Sequence, residues 1–289
     1  MGFRTVVIKN RSKLDLRMNY LVCRSEEESR IYIPEISYLI LESTAISLTS
    51  ALLSELIKNN VKIIFCDEKH NPESELVGLH NNYSSVSKIK KQMQWSEKNK
   101  ASVWQKIIQN KIYQQKKFLE ELGYNLSADL LGDYLDDVMP SDITNREGHS
   151  AKVYFNAIFG QEFQRREESN INGALNYGYA VMLACFNREI VRLGYLTQLG
   201  IWHKNEFNYF NLSCDLFEPF RILVDREVFK NFKTPDDRDF RLRILDIFKL
   251  QLNINGKRQY LENAISIYCQ SVLESLNNED MELLRFYEL

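Results

Sequence analysis

Three segments in the second half of the chain each set one metal-ligating side chain into an otherwise apolar and aromatic stretch. They are REGHSAKVYF around Glu147, GIWHKNEFNYF around His203 and NLSCDLFEPFR around Glu218. Two carboxylates and an imidazole, far apart in sequence and gathered by a fold, make a site for a divalent cation. So small a ligand set leaves coordination positions open for water and phosphate oxygens, as metal-assisted phosphoryl chemistry requires. Each residue also has a plainer reading. Glu147 can be an acid in a solvated first helical turn. His203, beside Trp202, can be a packed or exposed structural residue. Asp215 and Glu218 can be a capping pair, with Asp215 as N-cap, Glu218 reaching back to it, and Pro219 tolerated in the first turn. The cap and ligand roles are compatible, and spacing alone leaves open which of the two acids would bind. His149 stands two residues from Glu147, so on a helix it points to another side and reads as a surface or supporting residue.

These residues need elements to hold them. Residues 1 to about 80 read mainly as strands: TVVIK, RIYIP and VKIIFC are short, rich in β-branched residues and bounded by turn formers. One helix interrupts them at about 50–58, where Leu52, Leu53, Leu56 and Ile57 form a stripe that ends at Asn59 and Asn60. From about Val86 the period becomes helical, with Trp104, Ile107, Ile108, Tyr113 and Phe118 recurring at helical steps until Gly123. Further helical patterns follow at about 126–138, 147–159, 169–193, 215–231, 236–252 and 257–276, and His203 falls at the end of a helix through Tyr195 and Leu199. The fold class expected is α+β: a small β-rich, sandwich-like domain over 1–82, followed by a larger all-α domain over 83–289 that carries the site. Gly173 and Gly178 in NGALNYGYA suit tight helix packing.

A chain of 289 residues is long enough for two domains, and 44% hydrophobic with 26% charged residues is an ordinary globular composition. No apolar run approaches a membrane span, and no signal-peptide pattern opens the chain. Five scattered cysteines, an odd number without a C-x-x-C pair, point to reduced thiols in a cytoplasmic protein rather than to disulfides or zinc. With a net charge of −2, a DNA partner would have to be met by a local basic face. One candidate runs from Lys88 to Lys117 and includes Lys88, Lys90, Lys91, Lys98 and Lys100, interleaved with Trp95, Trp104 and Tyr113. Lysines there can meet phosphates and an aromatic can stack on an unpaired base. An amphipathic helix with aromatic core and solvated lysines gives the same pattern. Arg165, Arg166 and Arg221 are further candidate phosphate contacts, although arginines near helix ends are usually solvated or salt-bridged.

The words EGHSAKVYFNAIFG, NGALNYGYA, GIWHKNEFNYFNL and DLFEPFRILVD closely resemble the CRISPR adaptation integrase family, the spacer-acquisition enzymes. GFRTVVIKNRSKLDLRMNYLVCR looks like the opening of the type II-A members, so the likeness covers nearly the whole chain. The resemblance implies that Glu147, His203 and Glu218 bind Mg²⁺ or Mn²⁺ and form the catalytic set, with Asp215 as a supporting or alternate ligand. It implies a metal-dependent DNA endonuclease and integrase that inserts short foreign DNA into a CRISPR array by attack of a 3′-hydroxyl on a phosphodiester. It also implies a homodimer joined through the N-terminal domain, and double-stranded DNA (protospacer and repeat) as substrate. Further partners would be a small second adaptation protein and, in type II-A systems, the effector nuclease and a ring-forming DNA-end-binding protein. A catalytically silent DNA-binding scaffold of the same complex is the rival reading; retention of all three ligand types weighs against it. A metal hydrolase of a non-nucleic substrate has only the ligand set in its favour.

Overall fold

The computed structural model describes residues 4–76, 78, 85–231 and 243–289. The chain divides into two compact units, Met1–Asn81 and Asn82–Leu289. The first is built from β1 (Arg4–Ile8), β2 (Ser12–Arg17), β3 (Tyr20–Arg24), β4 (Glu28–Tyr32), β5 (Ile36–Leu41), β6 (Ile46–Leu48), helix α1 (Ser50–Lys58), β7 (Lys62–Cys66) and β8 (Pro72–Leu76). They form two four-stranded sheets, ordered β1-β5-β7-β8 and β4-β3-β2-β6. In the first, β1, β5 and β7 run parallel and β8 turns back against β7. In the second, β4, β3 and β2 are antiparallel, and β6 joins β2 in parallel. Leu14 and Leu21 from one sheet and Ile36, Leu39, Leu41 and Ile63 from the other share one core with Leu52 and Leu56 of α1. The helix starts where the Thr49 side chain accepts from the Leu52 amide at 3.3 Å, satisfying one of its orphan donors.

The second unit is helical: α2 (Ser85–Met93), α3 (Glu97–Glu121), α4 (Asn125–Asp136), α5 (Arg146–Phe159), α6 (Asn170–Arg192), α7 (Asn211–Phe217), α8 (Arg221–Asn231) and α9 (Leu261–Asn278). Short 3₁₀ turns at Glu218–Phe220 and Leu245–Lys249 interrupt it. The helical run expected from Val86 to Gly123 is two helices. Trp95 is buried between them with its indole N–H on Asn277, and Ser96 caps α3 by accepting from the Asn99 amide at 3.2 Å. The expected all-α character needs a correction. β9 (Gln251–Ile254), β10 (Lys257–Tyr260) and β11 (Tyr287–Glu288) form a small sheet in the order β10-β9-β11. The helical pattern over 236–252 therefore ends in a strand, and its first part, 236–242, lies outside the described residues. The helix expected from 257 begins only at Leu261.

The 25-residue α3 is the spine of this unit, packing against α4, α5, α8, α9 and the Glu218–Phe220 turn. Its buried face runs Trp104, Ile107, Ile108, Lys111, Ile112, Gln115 and Phe118, one helical stripe into which a lysine is set. Gly178 of α6 meets α8 so closely that a β-carbon there would lie 2.4 Å from Val224 Cγ1; close packing accounts for that glycine. Among the described residues no helix is long and apolar enough to cross a membrane.

Candidate active site

Lys111, 7% exposed, is the centre of the arrangement. Its ammonium donates to Glu147 Oε1 at 2.7 Å and to Glu218 Oε2 at 2.5 Å, bringing together acids from two separate elements. Glu147 stands in the first turn of α5, as an acid near a helix N-terminus should. That turn is fixed by buried Asp142, whose carboxylate accepts from the amides of Arg146 (2.8 Å) and Glu147 (3.0 Å). Glu218 opens the 3₁₀ turn between α7 and α8, just before Pro219, and is buried. Its other oxygen, Oε1, lies 3.0 Å from Arg221 Nε. Burial alone would push the Glu218 carboxyl up; Arg221 and Lys111 overturn that and hold it down at about 2. For Lys111 the same balance holds: burial would lower it, and Glu147 and Glu218 raise it instead, so the ammonium stays charged.

His203 is not at the end of a helix. The helix α6 stops at Arg192, and residues 193–210 form a long loop folded by side-chain clamps. Asp215, fully buried inside α7, accepts the amides of Ile201 (2.6 Å), Trp202 (3.0 Å) and His203 (3.1 Å), and His203 Nδ1 at 2.6 Å. Asp215 is thus no N-cap for its own helix, and the Glu218 side chain does not reach back to it; its carboxylate organises the loop twelve residues earlier. Because a carboxylate only accepts, the ring proton facing it sits on Nδ1, which leaves the Nε2 lone pair of the neutral imidazole free. The Asp215 hydrogen bond is the largest influence raising the His203 pKa, with burial opposing it and the charges of Asp215, Glu218 and Glu147 adding to it. Gly200 is required here: a β-carbon would lie 2.4 Å from the His203 carbonyl oxygen and 2.7 Å from Asp215 Oδ2. Asn211 donates to the carbonyls of Gln198 and Asn205, and Gln92 of α2 to those of Leu196 and Leu199. Trp202 stacks on buried Trp104, whose ring the His203 imidazole meets edge-on.

The donors fit a divalent cation in kind. Two carboxylates already share one cationic atom, and the imidazole beside them is held with one nitrogen free. As placed, however, the ammonium lies between the acids, and among the described residues no three His, Cys, Asp or Glu side chains stand together closely enough to hold a metal. Lys111 falls within the basic stretch 88–117, whose lysines the sequence offers as phosphate contacts or a solvated face, and neither reading anticipates this role. Its place on the apolar stripe of α3 was the available signal.

Several expected DNA contacts are already engaged. Lys88 donates to the Leu193 carbonyl at 2.8 Å, and Lys100 pairs with Glu97. Of the two readings open for Trp95 and Trp104, base stacking or aromatic core, both side chains take the core. Lys90, Lys91 and Lys98 remain exposed. Arg165 bonds Asn172 and Asn176 and lies over the rings of Phe155 and Tyr179; Arg221 lies over Tyr179 and Phe217. Arg166 is exposed, and His149 is a surface residue near Arg146 and the Tyr134 ring.

The family model described as CRISPR associated protein Cas1 matches residues 5–264. A CRISPR-associated endonuclease Cas1 of Neisseria meningitidis serogroup C is 34% identical over 79% of this chain and 75% of its own length. One of Francisella tularensis subsp. novicida is 25% identical over 87% and 89%. Among solved structures, a casposase bound to integration product superposes with a TM-score of 0.81 at 20% identity, covering 98% of this chain and 93% of its own. A Cas1 protein from Thermotoga maritima gives 0.76 at 15% identity over 94% and 97%.

Proposed function

We propose that this chain, which belongs to the Cas1 family of CRISPR-associated proteins, is a metal-dependent DNA integrase and endonuclease of spacer acquisition. Its reaction would be phosphoryl transfer: the 3′-hydroxyl of a short DNA fragment attacks a repeat phosphodiester in line with the leaving 3′-oxygen. The observation that carries this reading is the convergence of Glu147 and Glu218 on one cationic atom, beside an imidazole held at Nδ1 by Asp215. These three residues would hold Mg²⁺ or Mn²⁺. When bound, such an ion polarises the phosphate and stabilises charge on the attacking or leaving oxygen. Asp215 keeps the His203 ring in one orientation and tautomer, and Arg221 keeps Glu218 ionised and aimed. Run in reverse, the same chemistry cuts branched DNA.

Double-stranded DNA, a second copy of the chain and a small second adaptation protein are the partners this reading calls for. A solved assembly named Cas6-RT-Cas1–Cas2 complex contains a chain similar in fold to this one. The likeness of the opening segment supports a type II-A member, with its effector nuclease and end-binding ring protein as further partners. The rival silent-scaffold reading draws on the ammonium seated between the acids. A strand-transfer assay with the purified chain, the second adaptation protein and a repeat-bearing plasmid separates the two. Integration that Glu147→Ala and chelator both abolish, with DNA binding retained, is expected; full strand transfer in either case would sink the metal mechanism. Glu218→Ala should also abolish integration, but it takes one of its two acids from buried Lys111 and the carboxylate from partly exposed Arg221. It should therefore cost about 3–5 kcal/mol of stability, whereas half-buried Glu147→Ala costs less. Light scattering should find a dimer at micromolar concentration; a monomer would count against pairing.

A further inference from the structure

We propose that Lys111 keeps, with its ammonium, the place between Glu147 and Glu218 that a divalent cation takes in the working site, so that the lysine competes with the ion and sets how tightly it binds. This rests on the metal reading given above and goes beyond it, because Lys111 is neither a ligand nor a surface lysine.

The geometry makes the two cations mutually exclusive. The ammonium sits 2.7 Å from one oxygen of Glu147 and 2.5 Å from one oxygen of Glu218. A divalent ion held by the same two carboxylates would need the space that the ammonium fills. Two positive centres held by the same pair of acids would repel each other strongly in a buried site, where screening is poor. Glu218 cannot turn away to serve both, since Arg221 holds its second oxygen at 3.0 Å. Glu147 is the half-buried partner, with 29% of its side chain exposed, and its second oxygen offers the displaced ammonium somewhere to go. A lysine suits this task because its charge is a compact point on a flexible four-carbon stem. Without an ammonium or ion between them, the two acids would face each other with only Arg221 to offset their charge, and half-buried Glu147 would turn away. With Lys111 present they stay aimed at one point, so the lysine is a positioning residue for the ion-free state.

Full-length wild type, Lys111→Met and Lys111→Arg would be compared for Mn²⁺ binding by calorimetry and by the electron-spin signal of free Mn²⁺. Melting temperature without metal would be measured alongside. Lys111→Met should melt lower in the absence of ion and bind Mn²⁺ about tenfold or more tightly than wild type. Lys111→Arg, whose planar fork bridges carboxylates more firmly, should bind Mn²⁺ more weakly than wild type. A folded Lys111→Met with affinity equal to or weaker than wild type overturns the proposal while leaving the metal reading intact. If Lys111→Met does not fold, an arginine variant that binds as tightly as wild type or tighter overturns it. No Mn²⁺ binding by wild type or either variant overturns the metal reading itself.

Discussion

At Asp215 one buried carboxylate is satisfied four times over, by three successive amides of the 201–203 loop and by the His203 ring. Burial pushes its carboxyl up from the ordinary value, against the pull of His203 and of the Trp202 and His203 amides. Those bonds change what its removal should do. If Asp215 merely capped its own helix, alanine would cost roughly 0.5–2 kcal/mol. Instead Asp215→Ala strands three buried or half-buried amides, each costing about 1–3 kcal/mol when unpaired, and frees the imidazole. The expected outcome is loss of strand transfer as complete as in His203→Ala, with a lower melting temperature that His203→Ala does not share. Asp215→Asn retains one acceptor oxygen but turns an NH2 donor toward two of the four N–H groups, so it should recover only part of the stability and little of the activity. Thermal melts and strand-transfer assays on the three variants check this; an Asp215→Ala protein with near-normal activity would mean the loop is held by other contacts.

The elements show what patterning can and cannot convey. The α1 stripe of Leu52 and Leu56 was legible because burial on one helix face imposes its period directly. β5 was not, since ISYLIL is buried on both sides and carries no alternation to betray a strand. The β9–β10 hairpin does carry a local signal: Asn255-Gly256, both at positive φ, between QLNI and KRQY. The site was legible as three acid- or histidine-bearing words but not as a geometry, because Lys111 meets partners 36 and 107 residues away. Nor did the helical pattern through Leu199 foretell a loop that a distant aspartate folds. Gly200 tests how tightly that loop is held. Gly200→Ala places a β-carbon against backbone and against Asp215, so it should abolish activity through the loop while α3 and α5 keep their fold. Near-normal strand transfer by this variant, with unchanged far-ultraviolet dichroism, would show the loop to be forgiving. On α2 and α3, charge reversal of exposed Lys90, Lys91 and Lys98 together should weaken DNA binding and flatten its salt dependence by about one log–log unit per lost phosphate contact. An unchanged slope would mark them as solvated only.

For the helical unit as a whole, the buried charges favour different pH ranges. Glu218 is held down at about 2, so its stabilising share is present above its ordinary value of 4.5 and fades as pH falls toward 2. Asp225 runs the other way. It is 1% exposed on α8 and accepts from the Tyr179 hydroxyl. Burial pushes its carboxyl up from 3.8 to about 6, although the Tyr179 hydrogen bond and the nearby charge of Arg221 pull it down. A folded-state pKa above the unfolded one means the folded unit holds that proton more tightly. The stability it gives is therefore fully present below pH 3.8 and lost as pH rises through about 6, a change of roughly 3 kcal/mol. Asp225→Asn has no proton to lose and keeps an oxygen for Tyr179 to meet. Its melting temperature relative to wild type should therefore climb between pH 4 and pH 7, by on the order of 5–10 °C in a unit of this size. Any fixed effect of the exchange shifts both ends equally, so the slope of the difference is the readout. Melting curves of the two proteins across that window decide it, and a flat difference would mean that Arg221 and Tyr179 already keep Asp225 ionised in the fold.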